Sequence, residues 1–148
     1  MSSLSEKVTI GWREWVVIEQ FEKREILAKI DTGAEYSALH ALDLQIVKDK
    51  STNTYQAKFR IHEKEPLVKL EINKFIKVKS SNGESQLRPA VTLNVLFAGG
   101  SYLMDTTLTD RTPMNYDMLI GRKALAGTFV VDCEKNKMHP KPESKEKK

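Results

Sequence analysis

The chain has 148 residues, 40% hydrophobic and 30% charged, enough apolar material for one compact core and too much for a chain disordered throughout. Its net charge of +4 is confined to one end: six lysines and two glutamates fall between Lys135 and Lys148, and the other 18 basic and 18 acidic residues cancel. That distribution argues against a nucleic-acid-binding face; no apolar run is long enough for a membrane span, and the first residues lack the apolar segment of a secretory signal, so a cytoplasmic protein is expected.

Val8-Thr9-Ile10 and Trp15-Val16-Val17-Ile18 are short β-rich segments, followed by a turn over 19–23 that is polar apart from Phe21. Ile26-Leu27-Ala28-Lys29-Ile30 then runs apolar into Asp31, so a buried strand ends in Asp-Thr-Gly. Residues 37–42 fit either a strand or a short helix. From Tyr55 to His62, Tyr, Ala, Phe and Ile alternate with Gln, Lys, Arg and His, the period of a half-buried strand; 68–72 and 75–78 alternate similarly. Ser80-Ser81-Asn82-Gly83-Glu84 reads as a hairpin turn, because Asn and Gly both tolerate positive φ. Residues 87–97 form a long strand with Pro89 at an edge or bulge, Gly99-Gly100 turns the chain, and 101–108 returns. Met118-Leu119-Ile120 is a brief strand stopped by Gly121. Residues 122–126 favour a short helix with Gly127 as its C-cap, and 128–132 is a last strand. Many short strands and one short C-terminal helix predict an all-β, closed, mostly antiparallel barrel over residues 8–134. Residues 1–7 and the Lys-rich 135–148 are expected to be disordered.

Asp31 carries the chemistry. A carboxylate at the end of a buried strand, followed by Thr32 and Gly33, is presented at a fixed position: Gly33 permits a sharp turn and leaves room for a neighbour, and Thr32 can bond backbone groups. Aspartic peptidases use two such carboxylates sharing one proton, because like charges that close cannot both ionise. This chain has one Asp-Thr-Gly, so a two-fold homodimer would bring the second copy to the axis.

The run Ile30-Asp31-Thr32-Gly33-Ala34-Glu35-Tyr36-Ser37, the Ser-Ser-Asn-Gly turn, and Leu119-Ile120-Gly121-Arg122-Lys123-Ala124-Leu125 far downstream together resemble the retropepsin pattern. That resemblance implies a barrel of the acid-protease type, a hairpin flap with Ser80, Ser81, Asn82, Gly83 and Glu84 at its tip, and a brace behind the loop from Leu119, Ile120, Gly121 and Arg122. It further implies that Thr32, Gly33, Ala34 and Glu35 support the loop and that Arg122 pairs with Glu35, a contact that bidentate geometry would strengthen. With Gly11-Trp12-Arg13-Glu14-Trp15 and Ser-Ala-Leu-His-Ala added, residues 8–139 look like the bacterial family labelled ATP-dependent zinc protease, of the RimK-associated type. Members associated with an ATP-grasp glutamate ligase imply action on glutamate-rich peptides or tails. Where that family has a basic residue and Thr after Asp-Thr-Gly-Ala, this chain has Glu35 and Tyr36.

Neither half of the label is written in the residues. His62-Glu63-Lys64-Glu65-Pro66 begins like a zincin helix, but Pro66 stands where the second His belongs. The three histidines, His40, His62 and His139, are far apart in sequence, so no metal and no other cofactor is expected. Gly99-Gly100-Ser101 precedes a strand rather than a helix and does not read as a phosphate loop. The single Cys133 cannot form an internal disulfide, which fits a reducing compartment, and reads as a small residue near a strand end. Trp12 and Trp15 read as packing residues, and Asp105, Asp110, Asp117 and Asp132 as solvated carboxylates. The sequence therefore predicts an aspartic endopeptidase acting on a peptide or protein substrate. Its rivals are a non-catalytic peptide- or protein-binding module on the same barrel and a zinc-dependent peptidase.

Overall fold

The period of two in one strand decides which way Asp31 faces. In β3 (Arg24–Asp31), Ile26, Ala28 and Ile30 are buried and Glu25 and Lys29 are exposed, so the alternation that seats Ile30 in the core turns Asp31 to the opposite face. The computed structural model describes residues 6–21, 24–79, 82–110 and 115–142. The remaining strands are β1 (Val8–Ile10), β2 (Arg13–Ile18), β4 (Ser37–His40), β5 (Leu42–Asp49), β6 (Thr54–Arg60), β7 (Val68–Glu71), β8 (Lys74–Lys79), β9 (Ser85–Phe97), β10 (Gly100–Thr109), β11 (Met118–Gly121) and β12 (Phe129–Val131), with one short helix, α1 (Arg122–Leu125). Mostly β structure with one short helix is what the pattern predicted. Among the described residues no helix is long and apolar enough to cross a membrane.

Pairing in the main sheet runs β10-β4-β11-β3-β2-β9-β8, and β9 also pairs with β10, so the ladders lead from β10 round to β10 again. Most ladders are antiparallel, but β11–β3, β10–β4 and β1–β12 are parallel. The long β9 divides its length among partners: residues 85–90 meet β8 and 90–97 meet β10. Pro89 sits just before the β10 ladder begins, where its missing N–H costs nothing. The turn between β9 and β10 is built on Ala98 and Gly99, both at positive φ, one residue earlier than the paired glycines suggest. Gly127, at φ +85, follows α1 as expected of a C-cap glycine. β5–β6–β7 form a separate sheet. The alternation of β5 is interrupted by a bulge between Leu42 and Gln45 with Asp43 at positive φ, which hides the strand from a periodicity reading.

The C-terminal segment departs from expectation. Lysine and proline content suggested a free tail from Lys135, yet residues 135–142 lie along β1 and β2. The cause is Glu14, which is fully buried: Oε2 accepts the backbone N–H of Gly11 (2.7 Å) and Met138 (3.1 Å), and Oε1 accepts that of His139 (3.2 Å). A buried carboxylate needs such donors, and this one finds them on the segment that covers it. Trp12 N and Lys137 N donate to the carbonyls of Lys135 and Arg13 (both 2.8 Å), and His139 Nε2 lies 2.9 Å from the Thr9 carbonyl. Lys141 lies over Trp15 at 4.4 Å and pairs with Glu25 at 3.2 Å. Gly11 is required here, since a β-carbon would meet Asn136 Cα at 2.7 Å.

Glu14→Ala is expected to cost about 3 kcal/mol in urea unfolding, because two backbone donors on the segment and one on Gly11 lose their acceptor. A chain ending at Glu134 should lose a similar amount, and adding Glu14→Ala to it should lose little more. Fully additive losses would show that Glu14 does not act through the segment.

Candidate active site

Asp31 closes β3 opposite Gly121 of β11 in parallel register. Its Oδ1 accepts the N–H of Gly33 (3.1 Å) and its carbonyl that of Ala34 (3.1 Å), forming a tight turn. Gly33 is not at positive φ. Its role is spatial, because a β-carbon would stand 3.3 Å from Asp31 Oδ1. Thr32 and Gly33 are exposed.

The brace behind the loop is made by backbone more than by charge. A helix begins with unsatisfied N–H groups, and α1 has no side-chain cap. Its first two donors go to the loop instead: Arg122 N to the Ala34 carbonyl (2.8 Å) and Lys123 N to the Glu35 carbonyl (3.0 Å). Gly121 N donates to Ser37 Oγ (3.1 Å), and Thr107 Oγ1 donates to the Ser37 carbonyl (3.3 Å). A β-carbon on Gly121 would lie 2.5 Å from the Tyr36 carbonyl group, so only glycine allows this approach. The Arg122–Glu35 ion pair implied by the retropepsin resemblance is replaced: Arg122 Nη1 donates to the Thr32 carbonyl (3.2 Å), and Lys123 Nζ is the cation near Glu35 (3.8 Å). The physical reason lies in the helix start, which aims Arg122 along the loop backbone and Lys123 at the carboxylate.

Tyr36 ties the loop to the hairpin. Its ring lies beneath Lys74 Nζ (5.4 Å) and Lys123 Nζ (5.7 Å). Lys74, at the start of β8, pairs with Asp105 Oδ2 (3.1 Å), whose Oδ1 takes bonds from Thr92 and Asn73. Desolvation pushes the Asp105 carboxyl up, but the bonds from Lys74, Thr92 and Asn73 outweigh it and hold the pKa below its ordinary value. The bond to Asp105 raises that of Lys74.

The hairpin of β8 and β9 stands over the loop. Its turn includes Gly83 at φ +90, and Asn82 Oδ1 accepts the N–H of Glu84 (3.1 Å). Ser80 and Ser81 lie outside the described residues. Between hairpin and loop is a cavity of about 530 Å³, bordered by Asp31, Glu35, Tyr36 and Leu119 on one side and Lys77, Lys79 and Arg88 on the other. Of the predicted residues, Asp31, Gly33, Ala34, Glu35, Leu119 and Arg122 meet here. Ile120 is wholly buried behind them, and Asn82, Gly83 and Glu84 are not among the lining.

The family description "retropepsin-like aspartic endopeptidase RimB" matches residues 9–142. The chain belongs to the RimB-like family. The match extends through the segment that Glu14 holds. Among relatives, the chain is 31% identical over 132 residues to a "probable alpha-L-glutamate ligase" of Shewanella pealeana, and 30% identical to its counterpart in Shewanella halifaxensis. These alignments take in 85% of this chain and 28% of each relative, so the chain spans less than a third of the length of the curated relatives it matches. A crystal structure of a Legionella pneumophila protein of unknown function superposes with a TM-score of 0.72 at 26% identity, covering 88% of this chain and 97% of that one.

The fold does bring two distant histidines together. His40 and His62 have ring centroids 6.5 Å apart, with His62 Nε2 2.9 Å from Asp117 Oδ2 and His40 Nδ1 3.7 Å from Asp110 Oδ1. His139 is on the C-terminal segment, bonded to Thr9. Among the described residues no three His, Cys, Asp or Glu side chains converge as a metal site. Sequence reasoning missed Ser37, which receives Gly121, and the cavity cations Lys77, Lys79 and Arg88. The alternation of Lys74–Lys79 carried a signal for the lysines, since it sends Lys77 and Lys79 to one face. Nothing local marked Ser37.

Gly121→Ala should destabilise the protein by about 1–3 kcal/mol, as forced overpacking against backbone does, read as a lower urea midpoint. Asp105→Asn should lower stability at pH 6. The contribution of an aspartate with a depressed folded pKa is complete above its unfolded value of 3.8 and disappears as pH falls through the folded one, so wild type and variant should converge in acid. A gap that persists unchanged below that value would show that the carboxylate's charge is not the cause.

Proposed function

We propose that this protein is an aspartic endopeptidase whose active unit is a homodimer, with Asp31 of each copy contributing one carboxylate to a shared pair. The observation that carries the reading is the placement of Asp31: it sits at a strand end, turned from the core, fixed by Gly33, and opens into a cavity beneath a hairpin. Among the described residues that line the cavity, the acidic ones are Asp31 and Glu35, and Glu35 faces Lys123. One copy therefore offers one free carboxylate, and the exposed Thr32 and Gly33 leave the loop open to a second copy. In the pair, the two carboxylates share one proton. The charged carboxylate takes a proton from water as it attacks, while the neutral one donates its proton to the scissile carbonyl oxygen. Thr32, Gly33, Ala34 and Glu35 hold the loop, the Ser80–Glu84 hairpin tip acts as a flap, and Leu119, Ile120, Gly121 and Arg122 brace the site on a closed barrel.

The substrate we infer is an acidic peptide, in keeping with glutamate-rich chains. Lys77, Lys79, Arg88 and Arg122 border the cavity against two carboxylates, so its field favours anions. Relatives named as glutamate ligases support a partnership with such an enzyme, the ligase extending chains that this domain shortens. The exposed, unbridged Cys133 fits a cytoplasmic setting.

Asp31→Asn should reduce cleavage of an oligo-glutamate peptide by about 10³-fold or more without changing the urea midpoint. Wild-type activity should fall on dilution as sedimentation shows the dimer separating, and mixing in excess Asp31→Asn protein should poison it. Full activity in a strict monomer would rule out the shared pair, and a dimer that binds the peptide but never cuts it would favour the binding module.

A further inference from the structure

The four cations that border the Asp31 cavity are not equivalent. Arg122 is committed to the Thr32 carbonyl. Lys77 and Lys79 are exposed on β8, fully hydrated point charges on flexible stems. Arg88 differs from all three. It is half-buried in β9, and its Nε donates to Gln86 Oε1 at 2.8 Å, which leaves both terminal nitrogens of the fork available. Among the described residues its two terminal nitrogens meet no acceptor and no carboxylate comes within ion-pair distance. The cavity it borders is also lined by Ala38, Leu119 and Thr107, whose hydroxyl donates to the Ser37 carbonyl, and by the carboxylates of Asp31 and Glu35 across from the hairpin. Burial lowers the Arg88 pKa.

A half-buried guanidinium whose fork meets no protein acceptor is placed to take a carboxylate on both terminal nitrogens as a charge-assisted bidentate pair, and an amide of the same shape cannot accept at both positions. We infer that Arg88 is the specificity-determining residue of the cavity, taking the side-chain carboxylate of one substrate residue as a bidentate pair and so selecting glutamate over glutamine beside the scissile bond. The inference rests on the peptidase reading above for the nature of the ligand. It goes further by assigning selection to one guanidinium fork rather than to the diffuse charge of the two lysines.

The test uses the full chain and two matched fluorogenic peptides, one with glutamate and one with glutamine flanking the cut. In the wild type the glutamate peptide should be preferred. Arg88→Gln should collapse the ratio of kcat/KM values by ten-fold or more, chiefly through KM. Arg88→Lys, which keeps the charge and loses the fork, should recover only a minor part. Lys58→Gln, an equal charge loss on exposed β6, should leave the ratio as it was. An unchanged ratio in Arg88→Gln, full recovery in Arg88→Lys, or an equal collapse in Lys58→Gln would each overturn the assignment. A second arm measures binding without cleavage: anisotropy of labelled hexaglutamate on Asp31→Asn protein, with and without Arg88→Gln. A ten-fold or greater weakening supports the fork, and equal affinity overturns it. Should the wild type cut neither peptide, the peptidase reading fails, and the binding arm still decides the role of Arg88.

Discussion

Gly121 has no side chain, and the site is assembled through the space that leaves. Parallel pairing of β11 with β3 puts this residue opposite Asp31, and the backbone of Tyr36 and Ser37 crosses where a β-carbon would be. The crossing aligns three consecutive N–H groups, from Gly121, Arg122 and Lys123, with Ser37 Oγ and the carbonyls of Ala34 and Glu35. A four-residue helix would ordinarily lose its first donors to water. Here those donors position the loop, so helix and loop are each other's cap. The carboxylate of Asp31 inherits its position from this lattice of main-chain bonds, which side-chain variation at Glu35 or Tyr36 leaves intact.

That independence gives meaning to the departure from the family pattern at residues 35 and 36. Glu35 and Tyr36 project from a loop whose shape is set elsewhere, and they are free to take on other work. Tyr36 becomes a platform for two ammonium groups, one from the stem of the hairpin and one from the helix. Asp105 holds the first of these in place. Loop, hairpin stem and helix are thereby joined on the exposed side by charge and aromatic contact, and on the buried side by hydrogen bonds.

Much of this was legible in the sequence where short-range signals agree. The apolar run into Asp31, the Asn-Gly turn, the Gly127 cap and the brief strand before Gly121 each depend on neighbours a few residues away. What escaped depends on distance. Ser37 is an ordinary serine until β11 arrives beside it. Arg88 is one charge in a strand that is exposed at one end and buried at the other, and its isolation follows from which strands flank β9. The retropepsin resemblance pairs Arg122 with Glu35, and the direction in which the helix start aims Arg122 and Lys123 is not written in the neighbouring residues. The segment after Glu134 has the composition of a free tail, and composition is blind to backbone N–H groups, which are what Glu14 binds.

The seam around Glu14 also constrains the order of events in synthesis. Its carboxylate reaches donors 124 and 125 positions downstream, and β1 lies against β12. A growing chain presents Glu14 early, and two of its three donors reach it only after His139 has left the ribosome. Contacts that join the two ends of a domain are late by construction. For this protein, synthesis must run through His139 before the first β-strands acquire their final surroundings.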